Sequence, residues 1–279
     1  MIDKVGIKWF DTIDSTNDEA LRCSDNAGDL AVFAADFQTN GRGQRGNGWE
    51  SGKGENLTFT VLLRPVHVPA QRQFAISEIA SLSVVKYLQS KGLEAKIKWP
   101  NDIYIGDRKV CGILIEHSFS GVNLSVSIVG IGINLNQTIF ASNAPNPTSV
   151  LLELGRRGAA DGNIPSVERL DTRVELERFM TFFCELYGDI NREGNGEAFT
   201  LLEECYLSSF YRMGQRCRFI ETPPKIEPVN AQIGEPACGK GENIIEGEII
   251  GIDENSCLQI RLADGSVHSY AFKEIKYII

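Results

Sequence analysis

The spacing of apolar positions changes period several times along the chain, and each change marks an element. Val5 to Phe10 reads as a short strand. Asp14-Ser15-Thr16-Asn17 then leads into good helix formers from Asp18 to Arg22. Ser15 with Asp18, or Thr16 with Glu19, has capping-box spacing, which predicts a helix whose first amides face outward as an anion site. Leu30 to Phe37 is a strand, Thr39 to Gly54 a glycine- and charge-rich loop, and Leu57 to Leu63 alternates as a half-buried strand does. Apolar positions 76, 79, 80, 84, 87 and 88 form a helical stripe within Gln73 to Ser90, with Gly92 closing it.

Short strands follow at Ala95 to Trp99, Asp102 to Ile105 and Lys109 to Glu116, with Gly106-Asp107 as a hairpin turn, and then β-branched Val122 to Ile133. Asn143 to Thr148 is a loop; Ser166 to Ile190 and Glu197 to Leu207 are helical. After Met213 the texture becomes short strands at Arg218 to Glu221, Ile244 to Ile252, Leu258 to Leu262 and Val267 to Phe272, with a tight turn at Asp264-Gly265. Polar, Pro- and Gly-rich Thr222 to Asn243 between the first two predicts a mobile loop. The whole predicts an α+β fold. A mixed, largely antiparallel sheet with helices fills 1–212, and a small all-β domain fills 213–279.

Charge narrows the partners. The formal net charge is -9 at pH 7, and the dense basic cluster is Arg42 and Arg45 inside the glycine-rich loop. That argues against nucleic acid, whose binders neutralise phosphates with a basic stripe, and for a small anionic ligand. The seven cysteines form no C-x-x-C, which predicts free thiols in a reducing compartment rather than a zinc site or disulfide framework. No apolar run approaches the ~20 residues of a membrane span, and the first ten residues lack a secretory pattern. A cytoplasmic protein is expected.

Three motifs carry candidate chemistry. In Gly41-Arg42-Gly43-Gln44-Arg45-Gly46, glycines let backbone amides approach an anion and arginine adds a planar fork; the alternative is a solvated turn. Lys98-Trp99-Pro100-Asn101-Asp102 sets Asn and Asp at a strand end, where a plain hydrogen-bonded turn is the bland alternative. In Arg108-Lys109-Val110-Cys111-Gly112, Lys109 is either an edge charge or the partner of a carboxylate. Cys111, two residues on, is expected on the same strand face, either as half of a Cys–Lys acyl-transfer pair or as a buried structural thiol. Gly112 and the glycines of Gly130-Ile131-Gly132-Ile133-Asn134 interrupt neighbouring strands, which predicts a flat surface for a planar ligand.

Together and in this order, these pieces, with Asp14-Ser15-Thr16-Asn17 and Phe37-Gln38-Thr39-Asn40, resemble the biotin–protein ligase family. The stretch Gly247 to Asp253 is similar to that family's small SH3-like C-terminal barrel. The resemblance implies activation of biotin with ATP and magnesium to biotinyl-5′-AMP, then transfer to a lysine of a biotin carboxyl carrier protein or carboxylase domain. It implies a biotin site of Ser15, Thr16, Asn17, Gln38, Gly41, Arg42, Gly43, Gln44, Lys109, Gly112 and Gly132. Arg42, Arg45, Trp49, Lys98, Asn101, Asp102 and Asn134 would take ATP, with Trp49 stacking on adenine. Lys109, Arg42 and Asp102 would be catalytic, Asp102 accepting the carrier lysine's proton. The metal ligands stay open.

The resemblance also implies a loop over Thr39 to Gly48 that orders on biotin binding. The family loop often reads Gly-Arg-Gly-Arg; Gln44 stands at the fourth position and removes a positive charge that would retain the adenylate, unless Arg45 compensates. With the first motif so near the start, an enzyme without a DNA-binding repressor domain is expected. A homodimer through an exposed strand edge stays open. The competing readings are a lipoate–protein ligase or octanoyltransferase, and a non-catalytic biotin or nucleotide sensor.

Overall fold

The computed structural model describes residues 5–46, 48–141, 146–160, 168–222 and 243–279, with the Arg45 side chain excepted. The chain divides into two compact units, Met1–Ser209 and Phe210–Ile279. The loop expected over Thr222 to Asn243 falls almost wholly outside the described residues, as does half of the one over Asn143 to Thr148.

The first unit contains strands β1 (Ile7–Phe10), β2 (Ala31–Ala35), β3 (Leu57–Leu63), β4 (Ala95–Lys98), β5 (Asp102–Ile105), β6 (Arg108–Ser120) and β7 (Asn123–Ile133). Its helices are α1 (Thr16–Arg22), α2 (Phe74–Ser90), α3 (Val150–Ala160), α4 (Thr172–Ile190) and α5 (Gly196–Ser208). The strands form one sheet in the order β1-β2-β3-β7-β6-β5-β4, in which β1 and β2 are parallel and all other pairs antiparallel. The mixed, largely antiparallel sheet expected from the pattern is therefore present.

Two expectations need correction. All seven residues of β3 are buried, so this strand is covered on both faces despite its alternating sequence. Thr58 and Thr60 stay inside because hydroxyls find partners: Thr60 donates to Asn17 Oδ1 at 2.6 Å. Two of the amides at the start of α1, those of Thr16 and Asp18, are also already taken and not free for an anion. Ser15 Oγ accepts from the Asp18 amide at 3.4 Å, and Gln38 Oε1 accepts from the Thr16 amide at 2.7 Å. Helix α3, which no pattern announced, is fastened by Glu153, which is 4% exposed and takes a two-point grip from Arg108 at 2.8 Å.

The second unit holds β8 (Arg216–Glu221), β9 (Asn243–Ile252), β10 (Leu258–Leu262), β11 (Val267–Tyr270) and β12 (Ile275–Tyr277). They make a five-stranded antiparallel sheet in the order β11-β10-β9-β8-β12. Its core is Phe219, Ile249, Leu258 and Ile260, all fully buried. The short β12 was not foreseen; alternate residues Ile275 and Tyr277 are buried, but three residues are too few to show a period.

Helix α2 is buried almost all round, because it lies between the sheet and helices α4 and α5. Glu78 on it is 4% exposed, and burial, with Glu203 adding repulsion, pushes its carboxyl up to about 7. The folded value lies above the unfolded one, so the folded chain favours the proton here. The associated stability is whole below the ordinary value of 4.5 and is lost as pH rises through about 7. Glu78→Gln is expected to raise the melting temperature by a few degrees at pH 8 and to leave it unchanged at pH 4, read by calorimetry of both proteins at both pH values.

Candidate active site

The site is built where backbones approach closely. Gly112 of β6 lies opposite Gly132 of β7, and Leu114 lies opposite Gly130. A Cβ on Gly132 would stand 2.3 Å from the indole of Trp49, and one on Gly112 would stand 3.2 Å from it. A Cβ on Gly130 would meet Asn17 Oδ1 at 2.1 Å. The flat surface expected from the glycines is therefore real, and Trp49 from the loop lies against it. Its indole nitrogen is buried. Trp49 is held there by a tight reversal: its amide donates to the Gly41 carbonyl at 2.9 Å, and Arg42 bridges Gly48. Gly41 cannot carry a side chain in this arrangement, since a Cβ would stand 2.6 Å from the Trp49 carbonyl oxygen.

At one end of the glycine floor is a polar cluster. Ser15, Thr16 and Asn17 are 1%, 3% and 5% exposed, so every polar atom there must find a partner. Gln38 Oε1 takes the Thr16 amide, and the Thr16 and Thr60 hydroxyls lie 2.9 Å apart. Asn17 donates to Glu116 Oε2 at 3.2 Å. Thr60 and Glu116 were not singled out from the sequence; their signal is a threonine and a glutamate at positions facing a glycine-rich neighbour strand.

At the other end lie Lys109 and Asp102, whose Nζ and Oδ1 are 2.5 Å apart. A β-bulge delivers them. Cys111 pairs with Ile103 and Lys109 with Tyr104, so two steps on β6 match one on β5. The extra residue turns Lys109 to the Gly112 face, where a Gly112 Cβ would stand 3.4 Å from its Nζ. Cys111 is left on the opposite face, which corrects the expectation that the two share one. The thiol is fully buried, and that burial pushes it well above its ordinary range. A thiolate nucleophile is thereby disfavoured, and with it a Cys–Lys acyl-transfer pair. The backbone of Lys109 is pinned by residues 146–148, and Asn134 holds that segment by donating to the Thr148 carbonyl at 2.9 Å.

The remaining sequence candidates fall around this axis. Lys98 pairs across the strand with Asp102 and lies 5.0 Å from the Tyr104 ring centre. Asn101 donates to the Ile113 carbonyl at 2.6 Å. Asn101 and Gln44 line a cavity of about 120 Å³ with Ser77, Ser81, Pro100, Ile113, Ile115 and His117. Gly43 leads from Arg42 into the turn Gln44–Gly46. The Arg45 side chain is outside the described residues. Arg42 is engaged by two carboxylates, Asp18 and Glu116, each at 2.6 Å. The Glu116 carboxylate foremost holds the guanidinium above its ordinary range, against the cost of partial burial. Among the described residues no group of three or more His, Cys, Asp or Glu is placed to hold a metal ion.

Gly132→Ala is expected to lift the Trp49 indole off the floor and move tryptophan emission to longer wavelength. The same substitution in a Trp49→Phe background should leave the emission of Trp9 and Trp99 where it was. An unchanged spectrum in the single variant would mean that Trp49 does not rest on Gly132.

Residues 9–134 match the Biotin/lipoate A/B protein ligase family. The chain is 36% identical over 131 residues to the bifunctional ligase/repressor BirA of Bacillus spizizenii, covering 46% of this chain and 40% of that protein. It is 28% identical over 252 residues to the biotin–[acetyl-CoA-carboxylase] ligase of Paracoccus denitrificans, covering 89% and 91%. The matches span about half or less of the length of the first relatives. In fold, the chain superposes on the biotin protein ligase of Aquifex aeolicus, solved with biotin and ATP, with a TM-score of 0.70 at 22% identity over 98% of each chain. No helix among the described residues is long and apolar enough to cross a membrane. The motifs and these relatives agree that residues 9–134 carry a domain like that of the Biotin/lipoate A/B protein ligase family, and the solved neighbours share its fold.

Proposed function

We propose that this chain is a biotin–protein ligase. The biotin carboxylate attacks the α-phosphorus of ATP, the bond to pyrophosphate breaks, and biotinyl-5′-AMP forms. A carrier lysine then attacks the acyl carbon, AMP leaves, and biotin is joined by an amide. The observation that carries this reading is the placement of the Lys109–Asp102 pair at one end of a glycine floor and of the Thr16–Gln38 cluster at the other. An acid with a polar, uncharged ring and an apolar tail fits that order. Thr16, Asn17 and Gln38 offer donors and acceptors to the ring, as a ureido group requires. Gly112 and Gly132 let the Trp49 indole lie close to the strands, and the tail would run alongside that indole.

Lys109 neutralises the charge that gathers as carboxylate and phosphate oxygens come together, which is an electrostatic role in a partly desolvated site. Asp102, drawn to Lys109 in the free enzyme, accepts the proton that the carrier amine loses in the second step. Magnesium would travel with the nucleotide's phosphates. We assign this chemistry to 1–212 and read 213–279 as a separate SH3-like domain. The carrier is a biotin carboxyl carrier protein or domain. Residues 115–120 of β6 have no strand partner on the β5 side among the described residues, and that edge suits docking by strand addition, by the carrier or by a second copy. The described cysteines are all free, in keeping with a cytoplasmic setting.

Acid-dependent ATP–pyrophosphate exchange tests the assignment, run separately with biotin, lipoate and octanoate. Exchange with biotin alone is expected; exchange with lipoate and not biotin would move the chain to the lipoate ligases. Lys109→Ala should lower biotin-dependent exchange by about 100-fold or more, with the circular dichroism and melting temperature retained. Normal exchange in that variant would remove Lys109 from the mechanism.

A further inference from the structure

Arg42 invites a role as a fork for the substrate's anionic end, yet its surroundings favour another. Asp18 from α1 takes one terminal nitrogen and Glu116 from β6 takes the other, both at 2.6 Å. The three side chains sum to a charge of minus one, which repels an approaching carboxylate or phosphate. Positive charge lies at the Lys109 end of the floor instead, where Lys109 and Lys98 face Asp102. The Glu116 carboxylate is shared, since its other oxygen accepts from Asn17, whose own oxygen accepts from Thr60. Thr60 meets Thr16, and Thr16 meets Gln38. The hydrogen bonds therefore close a ring from Gln38 to Arg42, four positions later in the same loop.

We propose that Asp18 and Glu116 are positioning residues that clamp Arg42, and through it hold the loop and Trp49 over the substrate floor. The coupling is short and physical. Arg42 follows Gly41, whose carbonyl receives the Trp49 amide, and Arg42 itself bridges Gly48. Releasing the guanidinium frees both sides of this reversal, and the indole covering Gly112 and Gly132 goes with it. The two acids thus act on substrate binding through a side chain that need not touch the substrate's charge. This inference rests on the biotin-ligase reading for its ligand, but the clamp itself can be read without one.

The test uses the full chain with Asp18→Asn, Glu116→Gln and the double variant, which keep shape and remove charge. Biotin affinity is measured by calorimetry without ATP, KM and kcat by pyrophosphate exchange, and loop exposure by the rate of tryptic cleavage after Arg45. The side chains are 35%, 29% and 40% exposed, so water screens each pair. The expected loss of biotin affinity is about five-fold for each single variant. KM for biotin rises with it, kcat is nearly unchanged, and tryptic cleavage is faster. Glu116→Gln placed on Arg42→Met should add nothing further to either readout. The opposite sign sinks the idea: if Arg42 grips the phosphates, neutralising the acids frees it, KM for ATP falls and cleavage stays at the wild-type rate. Additive effects of Glu116→Gln and Arg42→Met would also overturn the clamp. If the wild-type chain does not bind biotin, the ligase reading fails, while the cleavage rates still decide whether the acids hold the loop.

Discussion

A missing carbon sets the terms for the rest of the site. At Gly130 and Gly132 there is no room for a Cβ, and at Gly112 only a tight fit, because Trp49 and Asn17 occupy the space it would take. Backbone rather than side chain forms the floor, and so the groups that act must come from elsewhere: from the start of α1, from the loop after β2 and from the bulged start of β6. The sheet supplies rigidity at that floor, since β7 is central and is buried along nearly its whole length. A bound acid lying there would be fixed at both ends by elements that the core holds in place.

The two ends of the floor differ in how they treat charge. At the Thr16–Gln38 end, Ser15, Thr16 and Asn17 are buried and held by hydrogen bonds, while the half-exposed carboxylates beside them, Asp18 and Glu116, are answered by Arg42. The Lys109 end keeps a cation and an anion in contact and partly open to water, at 23% and 21% exposure. Such a pair is easily reopened by a substrate that brings its own anion, because partial solvation lowers the cost of separating the partners. Under the proposed reading, binding falls to one end and chemistry to the other, and no group has to serve both.

Much of this was legible in the sequence, for identifiable reasons. Ser15 with Asp18 announced the cap that starts α1, and the β-branched apolar run from Val122 to Ile133 announced the buried strand β7. Glycines inside strands predicted close approach, and the structure has it. What was not legible involved long-range pairing. Nothing local in Leu57–Leu63 tells that Thr60 is inside, because its partners Thr16 and Asn17 lie some forty positions away. Helix α3 depends on Arg108 meeting Glu153 across the fold. Asp18 was read only as part of a capping box and Glu116 only as the end of a strand, and only the folded loop brings Arg42 between them.

The facing of Lys109 and Cys111 was misjudged for a further reason: residue identity does not encode a bulge. The count of residues between two pairings does. This part of the site is written in length as much as in letters. A tolerant position such as Val110 can accept another buried aliphatic residue and leave the lysine where it is. Loss or gain of one residue between Arg108 and Gly112 would instead rotate the amine to the far side of the sheet, with every nearby side chain chemically intact. Among relatives of this chain, drift by substitution and drift by insertion should therefore carry very different risks here, and the spacing of this segment is the quantity that selection has most reason to hold fixed.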